Sequence, residues 1–170
     1  MEVMLDLETM GNAPAGAIVS IGAVAFDDKK VHSSFYSRVN LEYSVKKGMT
    51  IDPSTVLWWL QQDKLIQEDL QNTSGQVNLN QALASFSAFC KQVKVSGIWG
   101  NGVNFDNTIL RSAYNLCDLT PPWHYRQDRC FRTVKALYPV PMDLAPNTEK
   151  HNALSDATWQ AEYLIALGVL

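Results

Sequence analysis

The first ten residues, MEVMLDLETM, constrain this chain more than any other stretch of it. An apolar run at 3–5 leads into Asp6 and Glu8, which are separated only by Leu7. Alternate side chains of a β-strand point to the same face, so the two carboxylates would lie side by side. Burying two like charges is costly unless something compensates them, and divalent cations such as Mg²⁺ or Mn²⁺ do so through oxygen ligands. The motif predicts a metal-binding strand, with an exposed edge strand or N-terminal arm as the alternative.

Length and composition are typical of a cytoplasmic protein. A chain of 170 residues can bury a substantial core, and we expect one domain over residues 1–170. No apolar stretch is long enough to span a membrane, and the N-terminus does not resemble a signal peptide. The three cysteines are odd in number and lack metal-site spacing, which indicates reduced thiols. We therefore expect cytoplasmic localisation and no membrane partner.

The charge balance bears on a nucleic-acid partner. The net charge of −3 is unfavourable for such a partner, although two bound divalent cations would reverse its sign. A predicted helix over 126–138 concentrates basic residues into a broad stripe, which could contact phosphates or be an ordinary solvated face. The stripe consists of Arg126, Arg129, Arg132 and Lys135.

The order of the predicted elements indicates an α/β fold. Strand-like segments at 17–26 and 31–40 are joined by a turn at 27–30, which predicts an antiparallel meander with the first strand. Helical patterns follow, with a strand-like segment at 97–102 and a loop at 139–150. The predicted helices cover 51–62, 78–93, 105–117, 126–138 and 151–168. Strands first, and then helices alternating with strands, predict a mixed sheet flanked by helices.

Two further acids and a histidine lie far along the chain from the first motif. Asp106 follows a glycine-containing loop between a strand and a helix, and Asp156 lies in the last helix, five residues after His151. Taken singly, Asp106 is expected as a helix N-cap, Asp156 as an exposed helix residue and His151 as a loop residue. Their occurrence together with Asp6 and Glu8 favours a shared site.

These motifs resemble those of a known family. Asp6-x-Glu8, Asn-Phe-Asp at 104–106 and His151-x-Ala153-x-x-Asp156 are similar to the three exonuclease motifs of the DEDDh family, in the same order across nearly the whole chain. The resemblance implies an RNase H-like mixed sheet flanked by helices, and an enzyme that removes nucleotides from 3′ ends.

Two shorter segments indicate a branch of that family. TVLWWLQQ and WGNGVNFDN resemble phage and prophage exonucleases, among them an exonuclease VIII-type domain, and related bacterial exoribonucleases. Many DEDDh members carry a His-Asn pair before the second motif. Here Trp99-Gly100-Asn101-Gly102 occupies that region, so the substrate contact of the usual asparagine is not carried over.

The resemblance also implies roles for individual residues. Asp6, Glu8, Asp106 and Asp156 would hold two divalent cations, Mg²⁺ or Mn²⁺, with Asp6 as the bridging ligand. His151 would be the general base, because histidine titrates near neutral pH. The residues expected to contact the substrate are Thr9, Met10, Trp58, Trp59, Asn104, Arg129 and Arg132.

The two tryptophans allow alternative interpretations. Trp58 and Trp59 are about 100° apart on their helix, so both are not expected to face the core fully. One could stack on a base, and the alternative is a core role for both.

Three functions stay open. The main hypothesis is a metal-dependent 3′-5′ exonuclease acting on single-stranded RNA or DNA, whose polarity comes from the resemblance alone. An RNase H-like endonuclease or junction resolvase also uses clustered acids but does not need His151. A catalytically weak nucleic-acid-binding scaffold is the third, which the complete set of catalytic residue types disfavours. Family members are often dimers, so the resemblance allows a homodimer, but the sequence does not give the oligomeric state.

Overall fold

The computed structural model describes residues 1–141 and 144–170. Its strands are β1 (Glu2–Thr9), β2 (Ile18–Phe26), β3 (Val31–Arg38), β4 (Gly97–Gly100) and β5 (Asp128–Cys130). Its α-helices are α1 (Leu41–Lys46), α2 (Pro53–Trp59), α3 (Lys64–Gln71), α4 (Leu79–Gln92), α5 (Thr108–Leu116), α6 (Phe131–Leu137) and α7 (Ala153–Leu167).

The strands form one mixed sheet in the order β3-β2-β1-β4-β5. β1, β2 and β3 make an antiparallel meander, whereas β4 pairs in parallel with β1, and β5 pairs in parallel with β4. The predicted α/β class, the meander and the mixed sheet flanked by helices are confirmed. β1 is the central strand, so the alternative of an exposed edge strand or terminal arm for residues 6–8 is wrong.

The alternation of side chains along β1 divides them between two hydrophobic clusters. Val3, Leu5 and Leu7 belong to a cluster that includes residues of α4 and α5. Met4 belongs to the cluster that includes residues of α7. Asp6 and Glu8 follow Met4 in the alternation, so their carboxylates lie on the face of the sheet that α7 covers.

Gly22 on β2 lets α7 approach the sheet closely. Gly22 is paired with Asp6 across the strands. A Cβ atom at this position would lie 2.2 Å from the carbonyl carbon of Ala153, the first residue of α7. The absence of a side chain at Gly22 therefore allows the first turn of α7, which carries Asp156, to lie beside Asp6.

Most predicted helices are present, but short elements were not predicted. α2 begins as expected, with the Asp52 carboxylate accepting a hydrogen bond from the Ser54 N–H at 2.8 Å. α1, α3 and β5 were missed, since elements of so few residues leave little periodicity to detect.

The loop predicted over 139–150 includes residues 142 and 143, which lie outside the described residues. Within the described ranges, no helix has the length and apolar character needed to cross a lipid bilayer.

The helix predicted over 126–138 is wrong in its first half. A 3₁₀ turn over Tyr125–Gln127 leads into β5, and α6 begins only at Phe131. Arg126 and Arg129 therefore share no helix with Arg132 and Lys135, and the predicted stripe of four bases is not formed.

Asp128 explains why β5 replaces the start of that helix. Its carboxylate accepts hydrogen bonds from Asn107 Nδ2 at 2.9 Å and Trp123 Nε1 at 2.7 Å, and it pairs with Arg111 at 2.9 Å. Its backbone belongs to the strand that pairs with β4. These tertiary contacts outweigh the helical pattern of the local sequence.

Candidate active site

Three segments remote in sequence bring carboxylates into one cavity of about 1020 Å³. Asp6 and Glu8 come from β1, Asp156 comes from α7, and their carboxylate oxygens lie within 4.8 Å of one another. Asp106 lines the same cavity, and its charge acts on both Asp6 and Glu8. The structure therefore brings together the acids that the sequence assigned to metal binding.

Asp106 is anchored to β1 where β4 ends. The β1–β4 pairing stops at Leu5 and Gly100, so the next part of that edge of β1 is open to a side chain. Asp106 Oδ1 accepts a hydrogen bond from the Leu7 N–H at 3.2 Å, and Oδ2 accepts one from the Gly102 N–H at 3.0 Å. Asp106 lies within a π-helical turn and does not cap α5, so the N-cap alternative is wrong.

Asp156 and His151 are joined at the start of α7. Asp156 Oδ2 accepts a hydrogen bond from the backbone N–H of His151 at 2.8 Å, and Oδ1 accepts one from Asn147 Nδ2 at 2.7 Å. The His151 ring packs edge-on against the rings of Trp58 and Trp59, with centroids 5.0 and 6.2 Å away. The histidine thus lines the cavity next to one of the acids.

The pKa values of the acids rise because the carboxylates are buried together. Burial raises the pKa of Asp6 well above its usual value, and the charges of Asp106, Glu8 and Asp156 raise it further. Burial, followed by the charge of Asp156, raises the pKa of Glu8 to about 8. Burial raises the pKa of Asp106 to about 6 and also raises that of Asp156, although backbone N–H donors oppose both shifts. A nearby positive charge would relieve this repulsion.

The donor set fits a hard divalent cation. Asp6, Glu8 and Asp156 each offer an oxygen within one small volume, and the fourth acid adds further oxygens. Oxygen-only ligand sets favour Mg²⁺ and Mn²⁺ over metals that prefer nitrogen or sulfur. These acids are the residues that could hold such ions.

The predicted substrate-binding residues are only partly assembled. Thr9, Trp58, Trp59 and Arg132 line the cavity. The other three do not contribute to the lining: Met10 is buried in the core, Asn104 is exposed on the π-helical turn, and Arg129 lies on β5. The Arg129 guanidinium donates hydrogen bonds to the backbone carbonyls of Arg126 and Asp128.

The two tryptophans differ in exposure. Trp59 is 3% exposed, and its Nε1 donates a hydrogen bond to the carbonyl of Thr9 at 2.9 Å. Trp58 is 41% exposed, so a core role for both is wrong. Both rings line the cavity, and Trp58 has the larger exposed surface.

Basic residues complete the cavity wall. Arg132 and Lys135 from α6, together with Lys150, line the same cavity as the acids. The Lys135 ammonium lies 5.4 Å from the centroid of the Trp159 ring, which also lines the cavity. In such a cleft, the acidic side chains can hold metal ions, and the basic side chains can contact the negatively charged backbone of a nucleic acid.

Sequence reasoning missed several residues that line this cavity, among them Asn147, Lys150 and Gln160. Gln160 Nε2 donates a hydrogen bond to Asp6 Oδ1 at 2.8 Å. Its place one helical turn after Asp156 could have indicated it, because residues four apart share a helix face. Asn147 and Lys150 lie in a predicted loop, where no periodicity indicates which side chains turn inward.

Comparisons with known proteins agree with this geometry. The family model of the 3′-5′ exoribonuclease Rv2179c-like domain matches residues 1–167. An exodeoxyribonuclease of Enterobacteria phage T4 is 25% identical over 121 residues, and the match covers 64% of this chain and 53% of that protein. The chain thus spans about half the length of this curated relative.

A solved structure has the same fold. It is exonuclease X in complex with 5′ overhanging duplex DNA. The alignment covers 97% of this chain and 89% of that chain, with a TM-score of 0.60 and 17% sequence identity. This likeness confirms the RNase H-like α/β architecture. Because the family model extends over nearly the entire sequence, the chain belongs to the family of Rv2179c-like 3′-5′ exoribonuclease domains.

Proposed function

We propose that this protein is a metal-dependent 3′-5′ exonuclease of the DEDDh type, which hydrolyses phosphodiester bonds from the 3′ end of single-stranded RNA or DNA. The observation that carries the proposal is the convergence of Asp6, Glu8, Asp106 and Asp156 on one cavity, with His151 beside Asp156. Family membership supports the polarity and the reaction class.

The four acids would hold two divalent cations, Mg²⁺ or Mn²⁺. When bound, such ions supply charge stabilisation at the phosphate and lower the pKa of a water molecule. The protein orients the ligands beforehand. Asp106 is held by the N–H groups of Leu7 and Gly102, and Asp156 is held by His151 and Asn147.

His151 is the proposed general base. Its imidazole would take the proton of the attacking water as the water oxygen bonds to phosphorus. The bond from phosphorus to the 3′ oxygen of the preceding nucleotide would break, and that oxygen would take a proton from solvent. The products are a nucleoside 5′-monophosphate and a nucleic-acid strand shortened by one nucleotide. The left-handed backbone of His151, with φ of 63°, directs its N–H to Asp156. Packing against Trp58 and Trp59 orients its ring.

The walls of the cavity suit a single strand. Arg132, Lys135 and Lys150 would contact phosphates, and the exposed face of Trp58 would stack on a base. Neither contact reads a specific base. Arg129 and Asn104 lie outside the lining, so we propose no direct role for either in this substrate complex.

A digestion panel tests the proposal. Single-stranded RNA, single-stranded DNA and duplexes, each labelled at the 3′ or the 5′ end, would be incubated with Mg²⁺ or Mn²⁺. We expect labelled mononucleotide to be released first from 3′-labelled strands, and chelation to abolish the reaction. Cleavage of circular single-stranded DNA, which has no ends, would favour the endonuclease hypothesis. Binding without turnover would favour the scaffold hypothesis.

Two substitutions separate the general base from a metal ligand. His151→Ala should lower the single-turnover rate by about 10²–10⁴-fold while leaving metal affinity nearly intact. Asp156→Asn should weaken metal binding, so that higher metal concentrations partly restore its rate. Full single-turnover activity in His151→Ala would exclude this histidine as the base.

The homodimer that the resemblance allows is untested, and the cytoplasmic localisation stays a prediction. Light scattering during size-exclusion chromatography would detect a dimer as twice the chain mass of 19.0 kDa. Cell fractionation would test the localisation.

A further inference from the structure

Gln160 is a buried amide that the proposed mechanism does not use. It lies on α7, one turn after Asp156, and is 4% exposed. Its Nε2 donates a hydrogen bond to Asp6 Oδ1 at 2.8 Å, and the side chain lines the cavity.

The aspartates of the site differ in how they are held. Asp106 accepts hydrogen bonds from two backbone N–H groups, and Asp156 accepts them from one backbone N–H and one side-chain amide. Among the described residues, Gln160 is the side chain that donates a hydrogen bond to Asp6. This hydrogen bond limits rotation of the Asp6 carboxylate about its terminal bond.

Packing alone does not account for an amide at position 160. Gln160 Oε1 is buried and has no hydrogen-bond donor in the part of the chain that the structure describes. On the same helix, Ala157, Ala161 and Leu164 are apolar core residues. A methionine would fill a similar volume without leaving a polar atom unsatisfied. The amide therefore costs folding stability, and its hydrogen bond from Nε2 to Asp6 is what a methionine would lack.

We propose that Gln160 is a positioning residue that orients the Asp6 carboxylate for metal binding. This inference rests on the proposed function, since it assigns a metal to the acids. Gln160 does not touch the substrate. Its hydrogen bond to Asp6 Oδ1 restricts the orientation of the carboxylate beside Glu8 and Asp156.

Titration of Mn²⁺ into the purified protein by calorimetry tests the proposal without relying on activity. Gln160→Met should weaken Mn²⁺ binding by about 10–100-fold, the usual effect of losing a group that orients a metal ligand. Its single-turnover rate should recover at high Mn²⁺ concentration. Thermal unfolding of the metal-free protein should change little, by about 3 °C or less, because one hydrogen bond is lost and one unsatisfied atom is removed.

Two further variants keep the test decisive. Gln160→Asn retains an amide, but its side chain is too short to reach Asp6, so it should also weaken Mn²⁺ binding. It serves in place of Gln160→Met if that variant does not fold.

Tyr114→Phe is the matched control. Tyr114 is fully buried, and its hydroxyl donates a hydrogen bond to the Leu83 carbonyl at 2.9 Å. The control should lower the unfolding temperature and leave Mn²⁺ affinity unchanged.

The outcomes separate this inference from the proposed function. Wild-type protein that bound no Mn²⁺ and degraded no nucleic acid would contradict the proposed function. Wild-type protein that bound Mn²⁺, together with folded Gln160 variants of equal affinity, would overturn only the role of Gln160. A variant that lost thermal stability but kept wild-type Mn²⁺ affinity would show that Gln160 is merely structural.

Discussion

Replacing Glu8 by glutamine should stabilise the metal-free protein at neutral and alkaline pH. Glu8 lies beside the other three acids of the site and near Asp69. Burial, followed by the charges of Asp156, Asp106 and Asp69, raises its pKa from 4.5 to about 8. Between pH 4.5 and about pH 8, Glu8 therefore binds a proton more strongly in the folded chain than in the unfolded chain. The stability that protonated Glu8 contributes is complete below pH 4.5 and is lost as the pH rises to about 8.

The raised pKa bounds the size of the effect. Each pKa unit corresponds to about 1.4 kcal/mol of free energy of unfolding. For a fully buried group, the rise from 4.5 to about 8 would therefore be worth at most about 5 kcal/mol. Glu8 is partly exposed, so solvent screening reduces the value, and we expect about 1–3 kcal/mol. For a domain of this size, that corresponds to a rise in Tm of about 3–9 °C at pH 8.

Thermal unfolding in the presence of a chelator at pH 5, 7 and 8.5 measures this effect. The matched control is Glu162→Gln, which removes the same charge from an exposed position of α7. Glu8→Gln should raise Tm increasingly with pH, whereas the control should not. Adding Mg²⁺ or Mn²⁺ should stabilise the wild type more strongly than Glu8→Gln. A Tm of Glu8→Gln at or below the wild-type value at pH 8.5 would refute the electrostatic reasoning.

Other variants test the remaining features of the site. Gly22→Ala places a Cβ atom where the backbone of α7 lies, so it should destabilise the fold by about 1–3 kcal/mol in chemical denaturation and weaken metal binding. Trp58→Ala should raise KM by about 5–150-fold, the equivalent of about 1–3 kcal/mol of base stacking, with Tm unchanged, and Trp58→Phe should retain most of the affinity. Replacing both Arg132 and Lys135 by alanine should flatten the dependence of binding on log salt concentration by about 0.7 per lost phosphate contact, as measured by fluorescence anisotropy. Arg129→Ala should leave this slope unchanged, and a changed slope would place Arg129 on the substrate path.

Local periodicity was sufficient for much of the fold. The apolar run at 3–5 predicted a strand, and the spacing of Asp6 and Glu8 predicted that they share one face of it. The meander and the longer helices were predicted from local patterns as well. The acids and His151 were identified as one site through their resemblance to the three DEDDh motifs, in the same order along the chain. Such patterns are readable because the geometry of one strand or helix sets the directions of its own side chains.

Other features depend on which elements pair. Residues 128–130 have a helical pattern but form a strand, because β4 and three side-chain donors hold Asp128 there. Only packing decides that Trp59 is buried while Trp58 stays exposed.

The metal-binding geometry combines both kinds of information. The sequence by itself determined that acids of the right type exist and that two of them share a face. The tertiary structure decided that Gly22 admits α7 to the sheet and that Gln160 reaches Asp6. Contacts between residues 154 positions apart depend on strand register and helix docking, which no local repeat encodes.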